Sequence, residues 1–94
     1  MDIDKITIDF SGVKNFCDLH RVISESLDFP DWYGKNLDAL WDLLTGYIGG
    51  GWEITLKGCD KIPKPLQEYM GKVVNIFLRA EKMYGQIKVF MEEL

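Results

Sequence analysis

One histidine, two cysteines and three prolines are all that these 94 residues contain of those types, and there is no excess of basic side chains. Each shortage excludes something. Cys17 and Cys59 lie 42 positions apart, in no metal-ligand spacing, and read as reduced thiols. No apolar run approaches the ~20 residues that span a bilayer, and no signal-peptide pattern opens the sequence, so the expected compartment is the cytoplasm. Eleven Lys and Arg stand against 15 Asp and Glu, a formal net charge of −4. Phosphate contacts supply most of the affinity for nucleic acid, so direct nucleic-acid binding is disfavoured, and an anionic membrane would repel the chain.

The acid that is present is unevenly spread. From Asp18 to Asp42 there are six acids (Asp18, Glu25, Asp28, Asp31, Asp38, Asp42) and two bases (Arg21, Lys35), so this window alone carries −4. The other 69 residues hold nine of each sign. With 47% hydrophobic and 28% charged residues, the chain has the composition of a folded domain. One domain over residues 1–94 is expected, with a single core and neither repeat nor low-complexity segment.

Ile3 to Phe10 alternates, with Ile6, Ile8 and Phe10 on one face, which predicts a half-buried strand. Phe16, Leu19, Ile23 and Leu27 recur at helical spacing; Lys14 or Asn15 opens that helix and Pro30 closes it. Asn36 is a good N-cap for a second helix over Leu37 to Thr45, stopped at Gly46. Beyond Gly49-Gly50-Gly51, Trp52 to Lys57 reads as a second strand with Trp52, Ile54 and Leu56 inward. Pro63 and Pro65 begin a helical region with a buried stripe of Leu66, Tyr69, Met70, Val73, Phe77 and Tyr84, which Gly71 either splits or leaves whole. Gly85 ends it, and Gln86 to Met91 is a third strand with Ile87, Val89 and Met91 inward. The order predicts an α/β fold, β-α-α-β-α(-α)-β, with a three-stranded parallel sheet. Because two strands have a polar face, the helices are expected mainly on one side.

The second helix carries the most information. At about 100° per residue, with Asp38 at zero, Asp42 falls at about 40°, Thr45 at about −20° and Trp41 at about −60°. Leu37, Leu40, Leu44 and Ile48 gather on the far side. Asp38 lies in the first turn, where the helix dipole favours an acid; Asp42 lies toward the last turn, where the dipole opposes it. Like charges four apart also repel, at a cost of ~0.2–0.5 kcal/mol. Nothing local asks for Asp42, and a local rule broken without compensation marks a functional candidate. Trp32, Tyr33, Trp41 and Tyr47 cluster beside these acids, and aromatic anchors are what protein interfaces concentrate. Tyr33 reads as core, and Trp32 and Trp41 as partly exposed. His20 lies on or near the apolar face of the first helix and reads as a packed histidine. Arg79, Glu81 and Lys82 read as a solvated helix face. The triple glycine precedes a strand and lacks the residues of a phosphate loop. Cys17 has no evident base beside it.

Pro30-Asp31-Trp32-Tyr33-Gly34-Lys35-Asn36-Leu37-Asp38-Ala39-Leu40-Trp41-Asp42 closely resembles the signature of the barstar family. Thr45-Gly46-Tyr47 extends the match, and Asp18-Leu19-His20 is similar to the family's first helix. The resemblance implies a barstar-like fold and an intracellular, non-enzymatic inhibitor of a barnase-type ribonuclease, an extracellular-type basic enzyme. The inhibitor, a monomer without cofactor or metal, would insert its second helix and the preceding loop into the active site. On that resemblance Asp42 matches the central acid that stands in for a substrate phosphate, and Asp38 a second interface acid. Trp32 matches an aromatic loop contact, and Trp41, Thr45 and Gly46 match further contacts. Trp32 stands where Tyr is frequent and Tyr47 where Trp is. An outer acidic contact of the family falls here on Arg79 or Ala80, with Glu81 at least one residue off, about 100° around the helix. Two other functions compete: an antitoxin or adaptor that binds another basic protein through the same surface, and a metal-assisted hydrolase built on Asp38 and Asp42. The hydrolase lacks a placed third ligand or general base.

Overall fold

In the computed structural model the three alternating segments pair side by side as one parallel sheet; the structure describes residues 4–47, 51–85 and 87–92. Strands β1 (Asp4–Asp9), β2 (Trp52–Lys57) and β3 (Ile87–Glu92) lie in the order β1-β2-β3. They share one register, so that Ile6, Ile54 and Val89 form one row and Ile8, Leu56 and Met91 the next. When parallel strands follow one another in sequence order, right-handed crossovers bring every helix to the same face. Burial agrees: Ile8, Ile54, Leu56 and Ile87 are buried, whereas the other face is open to water. The open face is ruled by charge. The rows Lys5–Glu53–Lys88 and Asp9–Lys57–Glu92 alternate in sign across the strands, an arrangement that favours cross-strand pairs. The expected two-layer arrangement is therefore the one observed.

The first crossover holds α1 (Phe16–Leu27), α2 (Leu37–Asp42) and a π-helical turn (Leu43–Tyr47). Asn15 caps α1 by accepting from Asp18 N at 2.8 Å. Asp28, in a left-handed conformation, ends the helix two residues before Pro30. A 3₁₀ turn (Cys59–Lys61) leads into α3 (Lys64–Tyr84), which is unbroken at Gly71 and stopped by Gly85 at φ 61°. A mid-helix glycine costs ~1 kcal/mol. The buried stripe of Leu66, Met70, Val73, Ile76, Phe77 and Ala80 outweighs it, at ~1.5–3 kcal/mol for each large apolar side chain fully buried.

Four details depart from the pattern read in the sequence. Phe16 is half exposed at the first turn of α1, with its ring edge-on to Tyr69 at 4.7 Å. Tyr84 lies one turn beyond Ala80, past the covered stripe, and is exposed. Met91, expected inward, is exposed near the end of β3, where it lines a shallow cleft with Cys59 and Asp60. Gly46 does not stop the second helix: its φ is ordinary, and the helix widens into the π turn around it. Ile3, Ile48, Gly49, Gly50 and Gln86, and the side chain of Tyr47, lie outside the described residues.

Candidate functional site

Two neighbours in the loop between α1 and α2 have opposite environments: Tyr33 is 5% exposed and Trp32 is 73% exposed. The loop is held from inside. Tyr33 packs on Phe29 with ring centroids 5.0 Å apart, and its hydroxyl lies 2.7 Å from His20 Nδ1. The other His20 nitrogen, Nε2, lies 2.7 Å from the hydroxyl of Tyr69 on α3. Burial, and secondarily the charge of Lys35, lowers the His20 pKa, so the imidazole is neutral. A neutral ring has one donor and one acceptor nitrogen, so one tyrosine hydroxyl donates to it and the other accepts. Burial raises the pKa of both phenols, keeping them protonated as those roles require.

The same loop is fitted closely to α2. A Cβ on Gly34 would lie 3.3 Å from the Cβ of Ala39, a few tenths of an ångström closer than an ordinary contact. Lys35 follows in the left-handed region at φ 52°. Asn36 then caps the helix, accepting from Ala39 N at 2.8 Å and donating from Nδ2 to Gly34 O at 3.2 Å. Trp32 is thus an exposed aromatic on a loop anchored by its neighbours' contacts.

In α2 and the turn after it, Leu40, Leu43 and Leu44 are buried, while Asp38 and Asp42 are both exposed. Neither aspartate side chain makes a hydrogen bond or ion pair with any described residue. Trp41 is half-buried at the edge of this strip, with the Arg79 guanidinium 5.3 Å from its ring centroid and the Tyr84 ring 6.4 Å away. The π turn shifts the facing of the residues beyond Asp42. A wider turn adds a residue before the face repeats. The outward position that an α-helical repeat assigns to Thr45 passes to Gly46, which is exposed, while Thr45 is partly buried. The Thr45 hydroxyl donates to the Trp41 carbonyl at 2.7 Å. Turns of this type recur at functional sites.

Several candidate roles are narrowed by these contacts. Both nitrogens of His20 are engaged by tyrosines, so it cannot join Asp38 and Asp42 around a metal. Among the described residues, no three His, Cys, Asp or Glu side chains converge for metal binding. The Cys59 thiol is pushed up by burial and then by Asp60, the reverse of what a nucleophile needs. Nor are Arg79, Glu81 and Lys82 one solvated face. Glu81 accepts a hydrogen bond from Val89 N at 2.6 Å and ties α3 to the edge strand, Ala80 is buried, and Arg79 covers Trp41. Two contributors were not visible as such in the sequence. Tyr69 meets His20 across 49 positions, and Lys72 joins Arg79 on the α3 side of the cleft beside Asp38. Neither carries a local signal, because both meetings are made by the packing of helices.

The molecule is a small one-sided α/β domain whose most distinctive surface is a helix with two acids unpaired among the described residues, flanked by the exposed Trp32 and the half-buried Trp41. It matches the family model described as Barstar (barnase inhibitor) over residues 3–92, and the chain belongs to the barstar family. It is also 37% identical over 89 residues to a Bacillus subtilis (strain 168) protein named "Putative ribonuclease inhibitor YrdF", across 94% of this chain and 98% of that one. No helix among the described residues is long and apolar enough to cross a membrane.

Proposed function

We propose that this protein is a cytoplasmic inhibitor of a small basic, barnase-like ribonuclease, acting as a monomer by occupying the enzyme's active site and not by turnover. Its family, and the name of its relative, support a ribonuclease as the target. The observation that carries the mechanism is the exposed carboxylate of Asp42 in the last turn of α2, unpaired among the described residues. A ribonuclease cleft is lined with Arg, Lys and His to hold phosphate. Asp42 takes the place of that phosphate through charge-assisted hydrogen bonds, with Asp38 as a second acid one turn away. Trp32 and Trp41 supply flat apolar contact on either side, and Thr45 and Gly46 continue the contact along the π turn. The fixed negative field also speeds encounter with a basic partner.

The test is a ribonuclease inhibition and binding assay with purified protein. Asp42→Ala should weaken binding by at least ~2 kcal/mol, a general hot-spot threshold for which the barnase–barstar pair is itself a reference case. Its stability should be unchanged or slightly higher, because the Asp38–Asp42 repulsion is removed. Association should slow steeply as salt rises. An unchanged dissociation constant would sink the assignment. A second reading, antitoxin or adaptor for a basic protein of another activity, uses the same residues. Arg79 and Lys72, bases on the rim of the same surface, would serve a partner of either kind. Inhibition screened over several small ribonucleases separates the two.

A further inference from the structure

Helices α2 and α3 leave a shallow cleft between them, with Asp38 and Trp41 on one side and Lys72, Asn75 and Arg79 on the other. Arg79 is exposed and has no ion pair with any described residue. The residues one turn away from it on α3 are Asn75, Ile76, Lys82 and Met83, so no acid is within helical reach. Lys72 is likewise exposed and makes no ion pair among the described residues, not even with Glu68 one turn before it. Asp38, across the cleft, is not paired with either cation. Two basic groups therefore stand unneutralised beside two unneutralised acids.

The placing of the Arg79 guanidinium over the Trp41 ring, 5.3 Å from its centroid, explains its position but not its charge. A cation over an aromatic face keeps N–H donors that the ring does not use, and a guanidinium's donors form a fork that matches a carboxylate. Trp41 also makes Arg79 inseparable from the acidic helix, because a body seated on Trp41 and the α2 acids covers the guanidinium too. A base facing it would be repelled, and a covered cation left unpaired is costly.

We propose that Arg79, supported by Lys72, receives a carboxylate of the partner ribonuclease, and so selects an enzyme whose basic cleft has an acidic side chain on its rim. This deepens the functional reading above and rests on α2 as the contact surface. Asp38 and Asp42 answer the basic centre of such a cleft; Arg79 rejects a cleft that is basic throughout.

The experiment compares unmodified protein with R79E, R79Q and D42A. The probe is whichever ribonuclease of a panel, barnase included, the unmodified chain inhibits most tightly. Binding is read by calorimetry at low and high salt, and folding by thermal melting. R79E should bind at least about tenfold more weakly than the unmodified chain, with the loss shrinking as salt rises. R79Q should fall between the two, and it serves in place of R79E if that variant melts early. R79E and R79Q binding as well as or better than the unmodified chain, while D42A is weakened, would overturn the carboxylate assignment alone. If D42A also binds normally, α2 is not the contact surface, and the functional reading falls together with this one.

Discussion

The imidazole of His20 and the hydroxyl of Tyr33, 13 residues apart in sequence, meet at 2.7 Å in the interior, so that α1 holds the loop presenting Trp32. Because the histidine is buried and neutral, this link is sensitive to acid. Its folded pKa lies below the ordinary value of 6.5, so between the two the unfolded chain binds more protons. Its contribution is complete above about pH 6.5 and is lost as pH falls toward the lowered folded value. Protonation also makes both nitrogens donors, leaving the tyrosine that donated to the ring with no acceptor there. Urea unfolding of the native chain from pH 7.5 down to 5 should show declining stability, and His20→Gln should flatten that decline. Equal slopes in both chains would rule out His20 as its source.

Trp32 and Tyr33 should respond in opposite ways to substitution. Trp32→Ala removes an exposed ring and should change free-chain stability by no more than ~0.5 kcal/mol while weakening partner binding. Tyr33→Phe keeps the ring but leaves a buried His20 nitrogen without its partner, which costs ~1–3 kcal/mol. Chemical denaturation with calorimetric binding distinguishes them; a destabilised Trp32→Ala chain would show that the indole is structural.

Gly46 tolerates a methyl group in the free protein. Its φ is ordinary, and no described side chain or backbone atom outside its own neighbours lies within 4 Å of a Cβ built there. Gly46→Ala should raise stability by ~0.4–1 kcal/mol by restricting the unfolded chain. It should weaken partner binding, since the methyl projects from the widened turn into the proposed interface. A melting temperature below that of the native chain would show that the turn needs glycine.

Glu81 should matter to the sheet and not to recognition. Its carboxylate accepts from Val89 N on the edge strand. Glu81→Ala should cost ~1.5–3 kcal/mol, the usual worth of a hydrogen bond to a charged group. It should also speed amide exchange at Val89, with the affinity of the folded protein for its partner unchanged. Unaltered exchange at that amide would remove Glu81 from this role.

Where periodicity and local chemistry decide the outcome, the sequence was legible. The strand alternations, the Asn15 and Asn36 caps, the Gly85 stop and the acidic face of α2 all arise from neighbours within a turn or two. What was hidden depended on residues far apart. Nothing near Thr45 announces that the helix will widen and hand its outward position to Gly46. The pairing of Glu81 with Val89 needs the edge of a sheet to exist, and the exposure of Met91 depends on what packs over the end of β3. Asp38 and Asp42 could be found from their sequence positions; Arg79 was visible as a charge, but its seat on Trp41 required the packing of α2 on α3.

The parallel register has a consequence in time. Asp9 pairs with Lys57, made forty-eight residues later. At ~5–20 residues per second of synthesis, β1 waits about 2–10 s for its neighbour. Over that interval Asp38 and Asp42 have already been made, but α2 is only six residues long, too short to stand alone in water. Its packing partner, α3, is made later still and ends at Tyr84. A nascent or truncated chain that stops before α3 therefore owns the acids without owning the surface, and recognition begins only once α3 has been made.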